Sequence, residues 1–279
     1  MINLKCIWRV AKNEYINFIL NPKIIILAVV YLIIEKMIIM PIITASDYMN
    51  QPVNLFEIPI ATVNSSLGLL LILISYIVLI SPFPRINDNI PFCIFRAGRK
   101  NWVLGEILFQ FISGFTYAAI IAVATTLRGI TRAYMVNGWS LVITDYDKKQ
   151  LIPVNLYYQM TPYKAFFLSY LLLFLLLLFC GLLFLAGCLY SKKLLFFFIQ
   201  CAHIIAGCGI MVTESSAMWF FPVCHGMLLM HYQTYFREYV FSPYASIMLL
   251  SLACVVYLII IYKKAGKVSL DMIGGNILP

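Results

Sequence analysis

Charge is scarce in this chain. Asp, Glu, Lys and Arg make up only 11% of its 279 residues, against 63% hydrophobic, whereas a water-soluble domain carries about 25% charged and about 45–50% apolar residues. A soluble chain of this length buries a good core, but it could not cover this one with polar surface, so lipid must solvate most of it. Histidine is scarce too, with three in all, and neither H-E-x-x-H nor C-x-x-C occurs, which leaves no recognisable metal site. G-x-S-x-G is missing, and Glu214, with Ser215 and Ser216, has no evident base partner; no catalytic residue and no enzyme activity are expected. G-x-x-x-x-G-K-[ST] is missing as well. Gly98-Arg99-Lys100 lacks the glycine-rich cradle and the Ser/Thr that hold nucleotide phosphates, so the chain has no such site of its own. The N-terminus lacks a small-x-small cleavage site, and its first apolar run carries Glu35 and Lys36, unlike a secretory signal.

Eight cysteines are present, but their placement argues against a disulfide framework. Cys180, Cys188, Cys201, Cys208 and Cys254 fall inside apolar runs, where cysteine behaves as a small hydrophobe. Cys6 lies near the N-terminus, Cys93 in a basic loop and Cys224 in an outer segment. Cys224 with His225 and His231 lacks zinc-motif spacing, and His203 sits within a span; hydrogen-bonded histidines are the expectation, with metal absent. The formal charge of +9 suits basic anchors beside anionic lipid better than nucleic acid in so apolar a chain.

Six stretches approach the roughly 20 apolar residues a membrane helix needs: 24–44, 66–81, 104–127, 166–190, 194–212 and 244–262. The second is short unless it begins near Ile60. The fourth and fifth are separated only by a turn around Ser191, which predicts a tight antiparallel pair. With the N-terminus inside, the inner segments collect Lys5, Arg9, Lys12, Lys23, Arg85, Arg96, Arg99, Lys100, Lys192, Lys193, Lys263, Lys264 and Lys267. That bias predicts a cell-membrane protein with both termini cytoplasmic.

Leu4, Ile7, Trp8, Ala11, Tyr15 and Phe18 recur at helical spacing, with Lys5, Arg9 and Lys12 elsewhere around the wheel. A basic, Trp-bearing amphipathic helix of this kind lies in the inner headgroup plane, across residues 1–21. Asn21-Pro22 ends it, since Pro22 has no N–H and restricts Asn21. Two outer segments exceed simple turns. In 128–165, "NGWSLVITDYDKKQ" has hairpin-like composition. In 213–243, "MWFFPVCHGMLLMHYQTYF" is too apolar for a solvated loop and too broken by Pro222 and Gly226 to cross twice, so a re-entrant or interfacial helical pair is expected. With no repeat and no linker, residues 1–279 read as one domain. The fold class is an all-α polytopic membrane protein of six transmembrane helices, with an N-terminal amphipathic interfacial helix and a re-entrant outer helical segment before the last span.

Between the second and third spans, over 82–103, lies "PFCIFRAGRKNW". Asp88 or Asn89 suits a cap for a short helix through Pro91 to Ala97, and Arg96 and Lys100 become helical neighbours if that helix runs through Gly98. Inner-leaflet anchoring, with Trp102 interfacial, accounts for the charge by itself; a docking surface for a cytoplasmic protein is the other reading.

The amphipathic helix, the six spans, the extended inner loop "PFPRINDNIPFCIFRAGRKNWVLGE" and the interrupted outer segment before the last span resemble an ATP-binding-cassette (ABC) transporter permease of the type-2 exporter class. The resemblance implies a coupling helix in that loop, with Phe95, Arg96, Arg99, Lys100 and Trp102 as docking residues for a separate cytoplasmic ABC ATPase that binds ATP and Mg. It implies a second permease subunit, identical or related, and no cofactor in this chain. The long 128–165 connection departs from a simple export permease and keeps open a rival from another class, a sensory or accessory subunit that binds a ligand or partner without transporting.

Glu35 and Lys36 fall near the middle of the first apolar run, where insertion of either charge costs roughly 2.5–3.5 kcal/mol. As sequence neighbours they point about 100° apart on a helix. Two readings stand: a polar pathway or intramembrane ion pair, or a displaced span with Lys36 snorkelling to the interface. Anchoring alone predicts that Arg96→Glu with Lys100→Glu mis-orients the protein or leaves complex assembly intact; topology mapping and co-purification of the double variant check this.

Overall fold

The computed structural model describes residues 2–85, 90–145, 152, 154–213, 215–232 and 240–266, without the side chains of 90–93 and Arg132. Helix α1 (Leu4–Ile19) begins where the Asn3 side chain accepts the N–H groups of Lys5 and Cys6 and stops before Asn21-Pro22. Helix α2 (Pro22–Met49) then runs for 28 residues. It contains one π-helical turn, Glu35–Ile39, just ahead of Pro41. Proline lacks an N–H and its ring crowds the carbonyl four residues back, so a widened turn is the local way to carry it through.

The second apolar run is broken. Helix α3 (Glu57–Val63) and helix α4 (Ser66–Ile80) meet at 72°, with Ser65 capping α4 through Gly68 N. Every residue of α3 is buried, and Gly68 lies so close to the Thr62 carbonyl that a side chain there would strike backbone. Helix α5 (Ile90–Ala97) is followed across Gly98 by α6 (Arg99–Gly129). At about 1.5 Å per residue the 31 residues of α6 span roughly 46 Å, more than the ~30 Å hydrocarbon core of a bilayer.

Two short strands, β1 (Val53–Asn54) and β2 (Ala133–Tyr134), pair in parallel. In the stretch of hairpin-like composition, α7 (Leu141–Asp145) starts from Ser140 among the described residues, and 146–151 lie outside them. Helix α8 (Val154–Gln159) leads into α9 (Pro162–Leu189). A tight turn through Ser191, which takes a positive φ of 57°, joins α9 to α10 (Lys193–Val212). Helix α11 (Pro222–His225) lies between two 3-10 turns, Ser216–Phe220 and Leu228–Tyr232, so among the described residues three short turns stand where a helical pair was expected. Helix α12 (Pro243–Ala265) closes the bundle.

Among the described residues, five helices, α2, α6, α9, α10 and α12, are long and apolar enough to cross a membrane, and the bent pair α3/α4 passes the same test jointly. Helix α9 is the hub: 72% of its most apolar stretch is buried, against 22–39% in the other four. Leu172, Leu173, Leu176, Leu177 and Leu185 are wholly enclosed. The surrounding helices turn apolar faces outward, including Phe111, Phe115 and Val123 on α6 and Met248, Leu252 and Val255 on α12. A surface this apolar belongs in lipid.

α1 does not lie alone. Its buried face is Ile7, Ala11, Glu14 and Phe18, packed along the first turns of α6, while Leu4 and Trp8 point outward. The Asn3 backbone N–H donates to Asn101 Oδ1 at 3.1 Å, Tyr15 and Thr116 hydroxyls meet at 3.1 Å, and the Phe18 ring stacks edge-on to Phe109 at 5.9 Å. At Gly105 a Cβ would stand 2.6 Å from Val10 Cβ and 3.1 Å from the Ile7 carbonyl oxygen. Gly105→Ala should therefore destabilise the fold by about 1–3 kcal/mol, read as a lowered unfolding midpoint in detergent; Gly138→Ala, where a Cβ meets nothing within 4 Å, is the matched control.

Candidate functional site

One exposed feature is built at the end of the bundle where α1 docks. Gly98, at φ 81° and ψ 140°, holds a backbone that residues with a side chain rarely adopt and turns α5 into α6. Its N–H donates to the Ile94 carbonyl at 2.8 Å, and its carbonyl accepts the Trp102 N–H at 3.0 Å. Asn101 fastens the corner: its side-chain amide donates to the Ala97 carbonyl at 2.7 Å while its Oδ1 holds the N-terminus of α1. Ile94 and Val103 turn inward. Phe95 is 89% exposed, and Arg96, Arg99 and Lys100 are exposed beside it. The Lys100 ammonium stands 5.9 Å from the Tyr262 ring centre.

Two sequence expectations change here. Trp102 is only 4% exposed, a packing residue beneath the corner instead of part of a docking face. Because Gly98 breaks the helix, Arg96 and Lys100 flank a corner and share no helical face. Asp88 and Asn89 lie outside the described residues.

Glu35 and Lys36 are separated as their spacing requires. Glu35 Oε1 accepts from Arg128 Nε at 2.5 Å, tying α2 to the last turn of α6, while Lys36 is exposed. Also at this far end, Glu57 is wholly buried. Its carboxylate accepts the Asn54 N–H at 3.0 Å, the Ser140 N–H at 2.6 Å and the Ser140 hydroxyl at 2.7 Å. Asn54 in turn donates its side-chain amide to the Val136 and Gly138 carbonyls. One carboxylate thus clamps the long 128–165 connection onto α3.

The break between α3 and α4 is held by Asn64. Its amide donates to the Ile60 carbonyl and the Ser169 hydroxyl, each at 2.8 Å, and its Oδ1 accepts the Leu229 N–H at 3.2 Å. The three single turns before α12 therefore dip into the bundle. Gly226 abuts Leu176 at the midpoint of α9, and the Cys224 thiol points at the Gly207 carbonyl. His225 is bonded on both ring nitrogens, to the Ser246 hydroxyl at 2.8 Å and the Trp219 carbonyl at 2.9 Å, and His231 Nδ1 meets the Phe241 carbonyl at 2.7 Å. Among the described residues no three His, Cys, Asp or Glu side chains gather as a metal site.

A buried polar seam runs up α6. Glu106, Gln110, Ser113 and Tyr117 are all fully enclosed, and their spacing of four, three and four residues places them on one face. The Tyr117 and Ser75 hydroxyls meet at 2.7 Å, and the Tyr76 and Ser113 hydroxyls at 3.5 Å. Gly181 on α9 leaves room for the Gln110 carboxamide, whose oxygen lies 2.5 Å from where a Cβ would be. This seam, Glu57 and Asn64 escaped the reading of the sequence. The i, i+4, i+7, i+11 spacing from Glu106 to Tyr117 was the available signal, hidden inside a run read only for its hydropathy.

No family model, no curated protein and no solved structure matches this chain.

Glu57→Ala leaves three donors of Asn54 and Ser140 without their acceptor, and buried unsatisfied donors cost about 1–3 kcal/mol each. Hydrogen exchange should quicken at Ser140 and in α7 while α9 stays protected; unchanged exchange at Ser140 would show that the clamp does not hold the connection.

Proposed function

We propose that this chain is the membrane-spanning permease subunit of an ATP-driven ABC exporter, crossing the membrane six times with both termini in the cytoplasm. The α3/α4 pair is then the second crossing, and the end of the bundle where α1 docks faces the cytoplasm. Lys23, Arg85, Lys192, Lys193, Lys263 and Lys264 join the corner's cations at that end, as the positive-inside rule requires. ATP and Mg belong to a separate cytoplasmic ATPase, and a second permease subunit, identical or related, completes the transporter.

The observation that carries this reading is the corner at Gly98. A bare phenylalanine on a short helix, followed across the Gly98 corner by exposed cations, is the make-up of an anchor that enters a groove on a partner, with charge to orient it. It is fastened to α1 through Asn101 and continues without a loop into α6, which reaches the Arg128–Glu35 ion pair at the other end. A rigid helix of that length conveys the movement of a docked ATPase as a rigid-body tilt. The broken helix α3/α4 and the dipping turns meet at Asn64; interrupted helices of this kind, tolerated in lipid only when protein encloses them, are where transporters place their pathways. Glu35, on the π turn of α2, ties that helix to α6 beside α3, and Lys36 snorkels from the same turn.

Tagged protein purified from native membranes in mild detergent should bring down a stoichiometric ABC ATPase. Phe95→Ala with Arg96→Glu and Lys100→Glu should still insert and fold but lose at least tenfold of that ATPase. A wild-type sample without any ATPase, under conditions that preserve complexes, would overturn the proposal in favour of a sensory or accessory subunit.

A further inference from the structure

The unexplained chemistry lies where α1 packs on α6. Glu14 is 8% exposed on the buried face of α1 and Glu106 is fully buried on α6, and the Glu14 charge reaches Glu106. Both Glu106 oxygens, Glu14 Oε2 and both polar atoms of Gln110, one turn along α6, are buried without a hydrogen-bond partner among the described residues. Unsatisfied acceptor oxygens thus outnumber the single unsatisfied donor group, the Gln110 amide. Two ionised carboxylates enclosed together repel each other and are both desolvated, so such a pair holds a positive charge between them.

Among the described residues, no neighbouring group supplies that charge to Glu106. Arg85 acts on Glu14, but its guanidinium donates to the Asn17 carbonyl at 3.1 Å and lies over the Phe83 ring. From α9 comes the Cys188 thiol, and from α10 Lys193, which stands over the Phe184 ring. Lys23 of α2 donates to the Ser81 hydroxyl, Tyr76 of α4 reaches the Gln110 end, and Tyr262 of α12 lies below Lys100. A hard metal ion wants six or more oxygens, and three side chains do not provide them.

We propose that Glu14 and Glu106 form a proton-binding site that holds one proton between two carboxyls at the mouth of the polar seam of α6. Burial lifts the Glu14 carboxyl to about 7 against the pull of Arg85, so exchange falls near neutral pH. The sign follows: Glu14 binds its proton more tightly in the folded chain than in the unfolded one. Its contribution to α1 docking is therefore complete below the ordinary carboxyl value of 4.5 and is lost as pH rises through about 7. This site stands whether or not the chain meets an ATPase.

The test is infrared difference spectroscopy of the full-length protein in detergent as pH is raised from acid to alkaline. In a Glu57→Gln background, which removes the other fully buried carboxyl, a protonated-carboxyl band should weaken around neutrality as one proton leaves the pair. In that background the loss near neutrality should be abolished by Glu14→Gln and displaced in pH by Glu106→Gln, because the two carboxyls titrate as a unit. Arg85→Gln should move the midpoint up by ~1 pH unit. If Glu106→Gln does not fold, Glu14→Gln and Arg85→Gln decide the matter by themselves. A loss near neutrality that survives Glu14→Gln in that background, or a midpoint displaced by sodium at fixed ionic strength, would overturn the proposal, the latter by showing that a metal ion occupies the oxygens.

Discussion

Val10 can approach Gly105 as closely as it does only because Gly105 has no side chain, and the arrangement of one end of the bundle follows from that approach. With α1 pressed along α6, Phe18 reaches Phe109 and Phe83, and these rings seat the chain leaving α4 against the start of α6. Asn3 and Asn101 then lock the corner at Gly98. The same packing carries Glu14 out of water and towards Glu106. Dense interiors transmit displacement because they hold few voids to absorb it, so α1, the corner and α6 form one stiff unit.

A second constraint shapes the other end. Inside lipid, a broken helix leaves backbone groups that only the protein can satisfy. At the α3/α4 break Asn64 meets this demand with three hydrogen bonds to three parts of the chain. Ser65 caps the new helix, and Glu57 satisfies the donors at the start of α3 and of α7. The long far-end connection is thus held by polar side chains, in contrast to the apolar contacts along α9. These polar fastenings give the interrupted helix a defined shape.

Long apolar runs were legible because hydrophobicity is additive along a sequence: α2, α6, α9, α10 and α12 fall on the stretches expected for them. The turn at Ser191 and the stop at Asn21-Pro22 were legible through local backbone chemistry. Trp102 was misplaced because an aromatic beside cations at a span's edge looks interfacial until the packing beneath Gly98 is known. In the stretch of hairpin-like composition around Gly138, α7 forms because Ser140, held by Glu57 from 83 residues away, starts a helix there. The run before α12 was rightly judged too apolar for water, yet its three single turns depended on Leu176, Gly207 and Asn64, none of them its neighbours in the chain.

Composition and periodicity by themselves determined that the chain lives in lipid, which runs are helices and where the cations collect, since each depends on residues within a few turns of one another. Only the tertiary structure decided that Glu35 pairs with Arg128, that Glu57 clamps Ser140 and that Glu14 is buried within electrostatic reach of Glu106. Each of these joins residues more than 80 positions apart. A buried charge is tolerated only by what packing brings to it, and a single chain read along its length carries no record of that company.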